Sequence, residues 1–341
     1  TEKRNPFRIT LISVRLPICL SAYQDPLSWE RAEVSTYILY GTLGERVRLM
    51  PILTKNEVKM YPIASAANHI LNIPDLNIKR KFLIFVPGYN SHINKTTEKL
   101  VRDTFRGRNM HLIILDHSAY TNGKLGHLKS YKRSVEYVYY IGKALGEMLA
   151  SLKYGGISEN NMHCLGYFLG GQMLGYTGQT FLERTRTKLW RITALDPAGP
   201  CFSRMIEDQV RLGVAQYVEV YHCNTGGLVS SNVLADIDFF VNRKGTQSNC
   251  DKPLIPGTFD SSKAATCIHK TCVQVWTETV NHPQLAWQCY SDETFEKCYM
   301  KGFVGVVMCL YFRCCVSDGF VVEYVGRLNA VHRYCHGLRI D

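Results

Sequence analysis

The chain has 341 residues, 46% of them hydrophobic and 20% charged, a balance that allows a sizeable globular core. Its longest apolar runs, such as those at 82–87 and 305–312, fall far short of the roughly 20 residues that cross a bilayer, so no membrane span is expected. The net charge of +11 comes from scattered lysines and arginines without a basic helix or an RNA-binding signature. Nucleic acid is therefore not an expected partner, and the charge is left to solubility and to affinity for acidic glycans.

In chain order, "KFLIFVPG" and "HLIILDHS" predict two strands, and residues 128–152 predict a long helix. Tyr131, Val135, Val138, Ile141, Leu145 and Leu149 recur at steps of three and four, the stripe that packs on a sheet; its expected role is structural. "NMHCLG" predicts a strand, 169–182 a helix, and "LWRITALD" another strand. Strand and helix alternating in this way imply parallel strands with crossover helices, an α/β fold. "AQYVEVYH" and "ADIDFFVN" add two strands, and the β-rich stretches "GFVGVVMCLYF" and "GFVVEYVG" are expected to extend or cover the sheet edge. No repeat, linker or low-complexity tract divides the chain, so a single domain over 1–341 is the economical expectation, with a cysteine-rich β-type extension at about 300–341.

The chemistry-bearing stretch is "LGYFLGGQ", where Gly166 and Gly170 have the spacing of a Gly-x-Ser-x-Gly nucleophile elbow but Phe168 stands between them. "ITALDPAGPCF" puts Asp196 at the end of an apolar strand, and "CIHKTC" puts His269 in what reads as a cysteine-rich loop. Nucleophile position, acid and histidine then follow in the order of the α/β-hydrolases.

These blocks resemble the pancreatic-lipase family of neutral lipases, including its phospholipase A1 and insect yolk-protein branches. "HCLGYFLGGQMLGYTG" is similar to the family's elbow block, "LDPAGPCF" to its acid loop, "DFFVNRKGTQSNC" to a loop ending in cysteine, and "FVPGYNS" to its oxyanion segment. The resemblance covers about 35–300 and implies an α/β-hydrolase fold with a mostly parallel sheet, helices on both faces and no C-terminal lipid-binding β-sandwich. It places the degenerate triad at Phe168, Asp196 and His269, and the oxyanion donors at the backbone N–H groups of Tyr89 and Leu169. It also implies disulfides Cys250–Cys267, closing a very short lid at 250–267, and Cys289–Cys298.

Phenylalanine offers no lone pair for attack on an ester, so a functional catalytic residue is not expected. Pro87, Tyr167 and the Arg243-Lys244 pair also depart from the family pattern. Cys164, Tyr167 and Ser91 are the stand-in nucleophiles to consider; Cys164 should be buried and inert, and Ser91 is the least implausible. No cofactor is expected. Clustered cysteines raise zinc, but no Cys-x-x-Cys pair occurs and metal is not expected either.

Thirteen cysteines and a start at Thr-Glu-Lys-Arg, without a basic-then-apolar leader, are taken as signs of a mature secreted product, and Asn94-Lys95-Thr96 is a glycosylation sequon. An odd number of cysteines leaves one thiol free or linked to another chain, with Cys164 the free candidate; Cys272, Cys309, Cys314, Cys315 and Cys335 have no assigned partner. The expected function is a secreted, catalytically inactive lipase-like protein of the yolk, storage or carrier kind, taken up into eggs in the yolk case. The alternatives are a lipid- or steroid-binding protein, a disulfide-linked structural or coat protein that self-associates, and an esterase with a substitute nucleophile.

Overall fold

The computed structural model describes residues 43–52, 59–74, 76–122, 127–202, 206–224, 229–230, 232–241, 263–281, 284–289, 305–308 and 322–326. The elements are β1 (Arg48–Ile52), β2 (Tyr61–Pro62), α1 (Ile63–Leu71), β3 (Lys81–Val86), α2 (Thr96–Phe105), β4 (Met110–Asp116), α3 (His127–Tyr154), β5 (Met162–Tyr167), α4 (Leu169–Thr185), β6 (Leu189–Leu195), β7 (Ala215–His222), β8 (Ile237–Val241), α5 (Lys263–Asn281), β9 (Gln284–Cys289), β10 (Gly305–Met308) and β11 (Val322–Gly326).

Among the described residues the strands form one sheet in the order β10-β9-β11-β8-β7-β6-β5-β3-β4-β1-β2. The centre, β4 through β8, is parallel; β1 and β2 on one side and the β8–β11 and β9–β10 pairings on the other are antiparallel. Nearly every residue of β3, β4, β5 and β6 is buried. Strands covered on both faces read as continuous apolar runs, which is why these four were legible in the sequence. The cover comes from two groups of helices: α3 contacts both α1 and α4, and α2 pairs with α5. The mostly parallel α/β-hydrolase architecture implied by the family resemblance is thus observed.

The chain crosses from β4 back over β3 to β5, so the carboxyl ends of β3 and β5 flank the point where strand order reverses. Open α/β sheets hold their ligands at such a crevice. Both the turn after β3 and the turn after β5 open there.

One local expectation is corrected. The segment containing His269 is part of helix α5, not a loop. Cys272, Val273 and Trp276 are buried along one face of that helix, and the apolar spacing that fixes it was obscured by the cysteines read as loop markers. Of the anticipated lid, residues 250–262 lie outside the described residues and the remainder is the first turn of α5.

Candidate functional site

At the end of β5 the backbone reverses sharply into α4 at Phe168, whose φ of 53° and ψ of −112° are left-handed for a residue with a side chain. Four hydrogen bonds hold the turn. The Phe168 N–H donates to the Leu195 carbonyl (3.0 Å), and the Phe168 carbonyl accepts from Gly171 (3.1 Å), Gln172 (3.4 Å) and Ala198 (3.1 Å). The flanking glycines are steric necessities: a Cβ on Gly166 would stand 2.5 Å from the Gly170 carbonyl oxygen, and one on Gly170 would fall on the carbonyl oxygen of Val86 in β3. The Leu169 N–H, at the first residue of α4, belongs to the turn whose amides the helix itself does not satisfy.

The Phe168 side chain is 7% exposed. Its ring lies 6.2 Å from that of Tyr131 on α3, and Tyr131 meets the ring of Tyr89 edge-on at 5.6 Å. The Tyr131 hydroxyl donates to the Pro200 carbonyl at 3.1 Å, which fixes the ring, and burial pushes its phenol far above the ordinary range. Three aromatic rings from three elements therefore occupy the ground above the elbow. Tyr131 belonged to the packing stripe of α3, and its reach to the elbow carried no sequence signal.

Tyr89 lies in the turn after β3, and that turn is clamped from β4. His117 is buried and bonded through Nε2 to the Pro87 carbonyl (3.0 Å) and through Nδ1 to the Thr121 hydroxyl (2.8 Å). A carbonyl only accepts, so Nε2 carries the proton; burial lowers the pKa and keeps the ring neutral, and Nδ1 accepts from Thr121. Asn90 adds a backbone bond to the Thr121 carbonyl at 2.7 Å.

Asp196 directly follows β6, fully buried, with a φ of 45°. Its N–H donates to the Tyr221 carbonyl (2.8 Å), and its Oδ1 accepts from the N–H groups of Cys223 (2.7 Å) and Asn224 (3.2 Å). A disulfide joins Cys223 to Cys272 in α5, so Cys272 has a partner that sequence reasoning did not assign. The Asp196 carboxylate and the two sulfurs lie within 4.8 Å of one another. As a disulfide the sulfurs are not thiolates, and the cluster lacks the ligands a soft metal needs. His269 falls three positions before Cys272 on α5, so the crosslink carries its helical turn toward Asp196; the His269 side chain lies outside the described residues.

The other named candidates are placed as follows. Cys164 is a buried free thiol in β5, pushed up by burial and so uncharged. Tyr167 is buried, and its phenol is pushed well up by burial first and then by the charges of Asp196 and Glu98. Ser91 donates its hydroxyl proton to the buried carboxylate of Glu98, which also accepts from Thr97 Oγ1 at 2.8 Å. Gln172, unnoticed in the sequence, ties α4 to the acid loop: it donates to the Ala198 carbonyl (2.6 Å) and accepts from the Val210 N–H (2.9 Å). Asn94 is exposed. Cys267 is disulfide-bonded, as is Cys201; Cys250, Cys298, Arg243, Lys244 and the Cys289 side chain lie outside the described residues.

The family model described as Lipase matches residues 41–304. Lipase member H of Rattus norvegicus is 28% identical over 291 residues, covering 83% of this chain and 59% of that protein. Pancreatic triacylglycerol lipase of Mus musculus is 27% identical over 303 residues, 82% of this chain and 60% of that protein. Phospholipase A1 member A of Homo sapiens is 29% identical over 202 residues, 58% of this chain and 41% of that protein. The chain spans about three fifths or less of the length of these relatives. With a strand-to-helix elbow at Phe168, an acid at the end of the next parallel strand, and a family match over most of its length, this chain belongs to the lipase family.

Proposed function

We propose that this protein is a secreted pseudoenzyme of the lipase family, inert toward esters and used for storage rather than hydrolysis. The observation that carries the reading is the occupant of the elbow: a buried phenylalanine holds the strained backbone position that a lipase gives to its serine. Acyl transfer begins with an oxygen nucleophile whose proton a histidine removes, and a benzyl group supplies neither lone pair nor proton. What remains without a nucleophile is, at most, a residual acceleration of about 10³ to 10⁴ over water from oxyanion stabilisation and binding. Tyr131, packed against the Phe168 ring and backed by Tyr89, takes up the room a scissile carbonyl would need.

The stand-ins do not rescue the chemistry. Cys164 is buried and uncharged, and Ser91 has a carboxylate, a weak base, as its hydroxyl's acceptor. The aromatic packing also favours storage over carriage of a lipid in the old acyl groove, because the rings fill the floor such a ligand would lie on. Asp196 then serves the fold, anchoring the chain after β7 through two N–H groups.

The test is hydrolysis of short- and long-chain fluorogenic esters by the purified protein beside its His269→Ala variant, with native mass spectrometry of the same sample. The expected result is no turnover and no retained lipid. Turnover abolished by His269→Ala overturns the pseudoenzyme reading; a co-purifying lipid replaces storage with carriage.

A further inference from the structure

Where β1 meets the carboxyl ends of β3 and β4 lies a cavity of about 490 Å³. That volume falls within the ~300–1,000 Å³ of small-molecule sites, and eight of the nine lining residues are polar or charged, Ala119 being the one aliphatic side chain. Polar and charged side chains of this kind suit a charged, hydroxylated ligand.

The donors come first. Arg46 and Arg48 line the cavity and flank Val47, whose burial in the core turns both neighbours outward. Among the described residues neither guanidinium forms an ion pair, although Arg48 stands opposite Asp116 in the β1–β4 register. His92 accepts the Asn94 N–H on Nδ1 at 3.3 Å, so its ring proton sits on Nε2 as a further donor. Two guanidinium forks within one polar cavity match the oxygens of a phosphate or sulfate.

The acceptors complete the description. Ser91 gives its proton to Glu98, so what it offers the cavity is oxygen lone pairs. Asp116 receives the Ser118 N–H on Oδ1 at 3.0 Å, leaving Oδ2 to accept. With two arginines against one aspartate, the cavity keeps an excess of positive charge beside groups that accept hydroxyl protons.

We propose that this cavity binds a saccharide bearing a phosphate or sulfate monoester, the oxyanion on Arg46 and Arg48 and the ring hydroxyls on Ser91 and Asp116. The site stands apart from the elbow, and its ligand is recognised whether or not ester hydrolysis has been lost.

The experiment is isothermal titration of the full chain with glucose 6-phosphate, glucose 6-sulfate, glucose, inorganic phosphate and a sulfated hexasaccharide. The expected result is binding of both hexose esters at least tenfold tighter than of glucose or inorganic phosphate. The double variant Arg46→Gln/Arg48→Gln should lose at least tenfold of that affinity while its melting temperature without ligand stays within about a degree of wild type, as both side chains are exposed. Tighter binding of the hexasaccharide than of the monosaccharides assigns the ligand to a glycan chain; equal or weaker binding assigns it to a free sugar ester. Inorganic phosphate binding as tightly as the hexose esters, or affinity untouched in the double variant, overturns the proposal.

Discussion

The rings of Phe168 and Tyr131 lie 6.2 Å apart, one on the elbow after β5 and the other on the first turns of α3. A side chain whose backbone conformation belongs to an exposed nucleophile is thereby packed as core. The two halves of that statement pull in opposite directions, which makes the position measurable.

Truncation at Phe168 should reverse the usual ranking of small residues. Phe168→Ala removes a buried ring and should cost about 3 kcal/mol or more, while leaving a Cβ in a left-handed conformation. Phe168→Gly loses the same ring but relieves that strain, by roughly 1 kcal/mol. Urea denaturation should therefore find the glycine variant more stable than the alanine variant. The opposite order would mean that the backbone at 168 relaxes out of the elbow once the ring is gone.

The Cys223–Cys272 crosslink closes a sequence separation of 49 residues. Loop-closure entropy for a span of that size is worth about 4 kcal/mol. Cys223→Ala/Cys272→Ala should lose stability of that order, read from chemical denaturation of oxidised protein. Because the bond ties α5 beside Asp196, hydrogen exchange should also rise in the turn containing His269. Unchanged exchange there would show that the disulfide at Cys267 and the packing of Val273 and Trp276 suffice to seat the helix.

Arg191 and Glu219 form a buried pair on adjacent parallel strands, with Nη2 to Oε1 at 2.6 Å and the Thr193 hydroxyl on the same oxygen at 2.5 Å. Removing one member strands a charge in the interior, so Glu219→Gln should cost about 3–5 kcal/mol. Replacing both, as Arg191→Met/Glu219→Leu, should recover more than half of that loss. A double variant no better than the single one would assign the cost to the lost hydrogen bond from Thr193 instead.

Acid should destabilise the fold through histidines held neutral inside it. His163 is buried, and burial first, then the charges of Arg191 and Lys81, lower its pKa well below the ordinary histidine value of 6.5; burial lowers His117 as well. The unfolded chain takes up these protons more readily than the folded one. Stability from these groups is thus complete above about pH 6.5 and is lost as pH falls toward the folded values. Denaturation midpoints measured from pH 7.5 to 5 should drop, and His163→Gln should flatten part of the slope. A slope identical to wild type would clear His163 of any share in it.

Much of the fold was legible because β3, β4, β5 and β6 are covered on both faces and so spell themselves as unbroken apolar runs. The elbow was legible for a different reason. Gly166 and Gly170 are demanded by backbone atoms that lie close whatever side chain sits between them. The pairing of Cys223 with Cys272 was not legible, because it depends on which strand α5 happens to cross. The helix at His269 was hidden for a related reason: cysteine spacing looked like loop punctuation when Cys272 was one contact on a buried helical face. Tyr131 and His117 escaped because an apolar stripe and a lone histidine say nothing about which turn they will prop.

The clearance around Gly170 has a consequence for how such a protein changes over time. The mould of the elbow is cast by the Val86 carbonyl and the start of α4, and neither touches the identity of its occupant. Phenylalanine and serine codons differ by a single base, so the occupant is exchangeable in one step, whereas the glycines and the carbonyl they admit have to change together. A chain carrying this turn therefore keeps its seat whatever side chain occupies it, and the seat stays open to a new one.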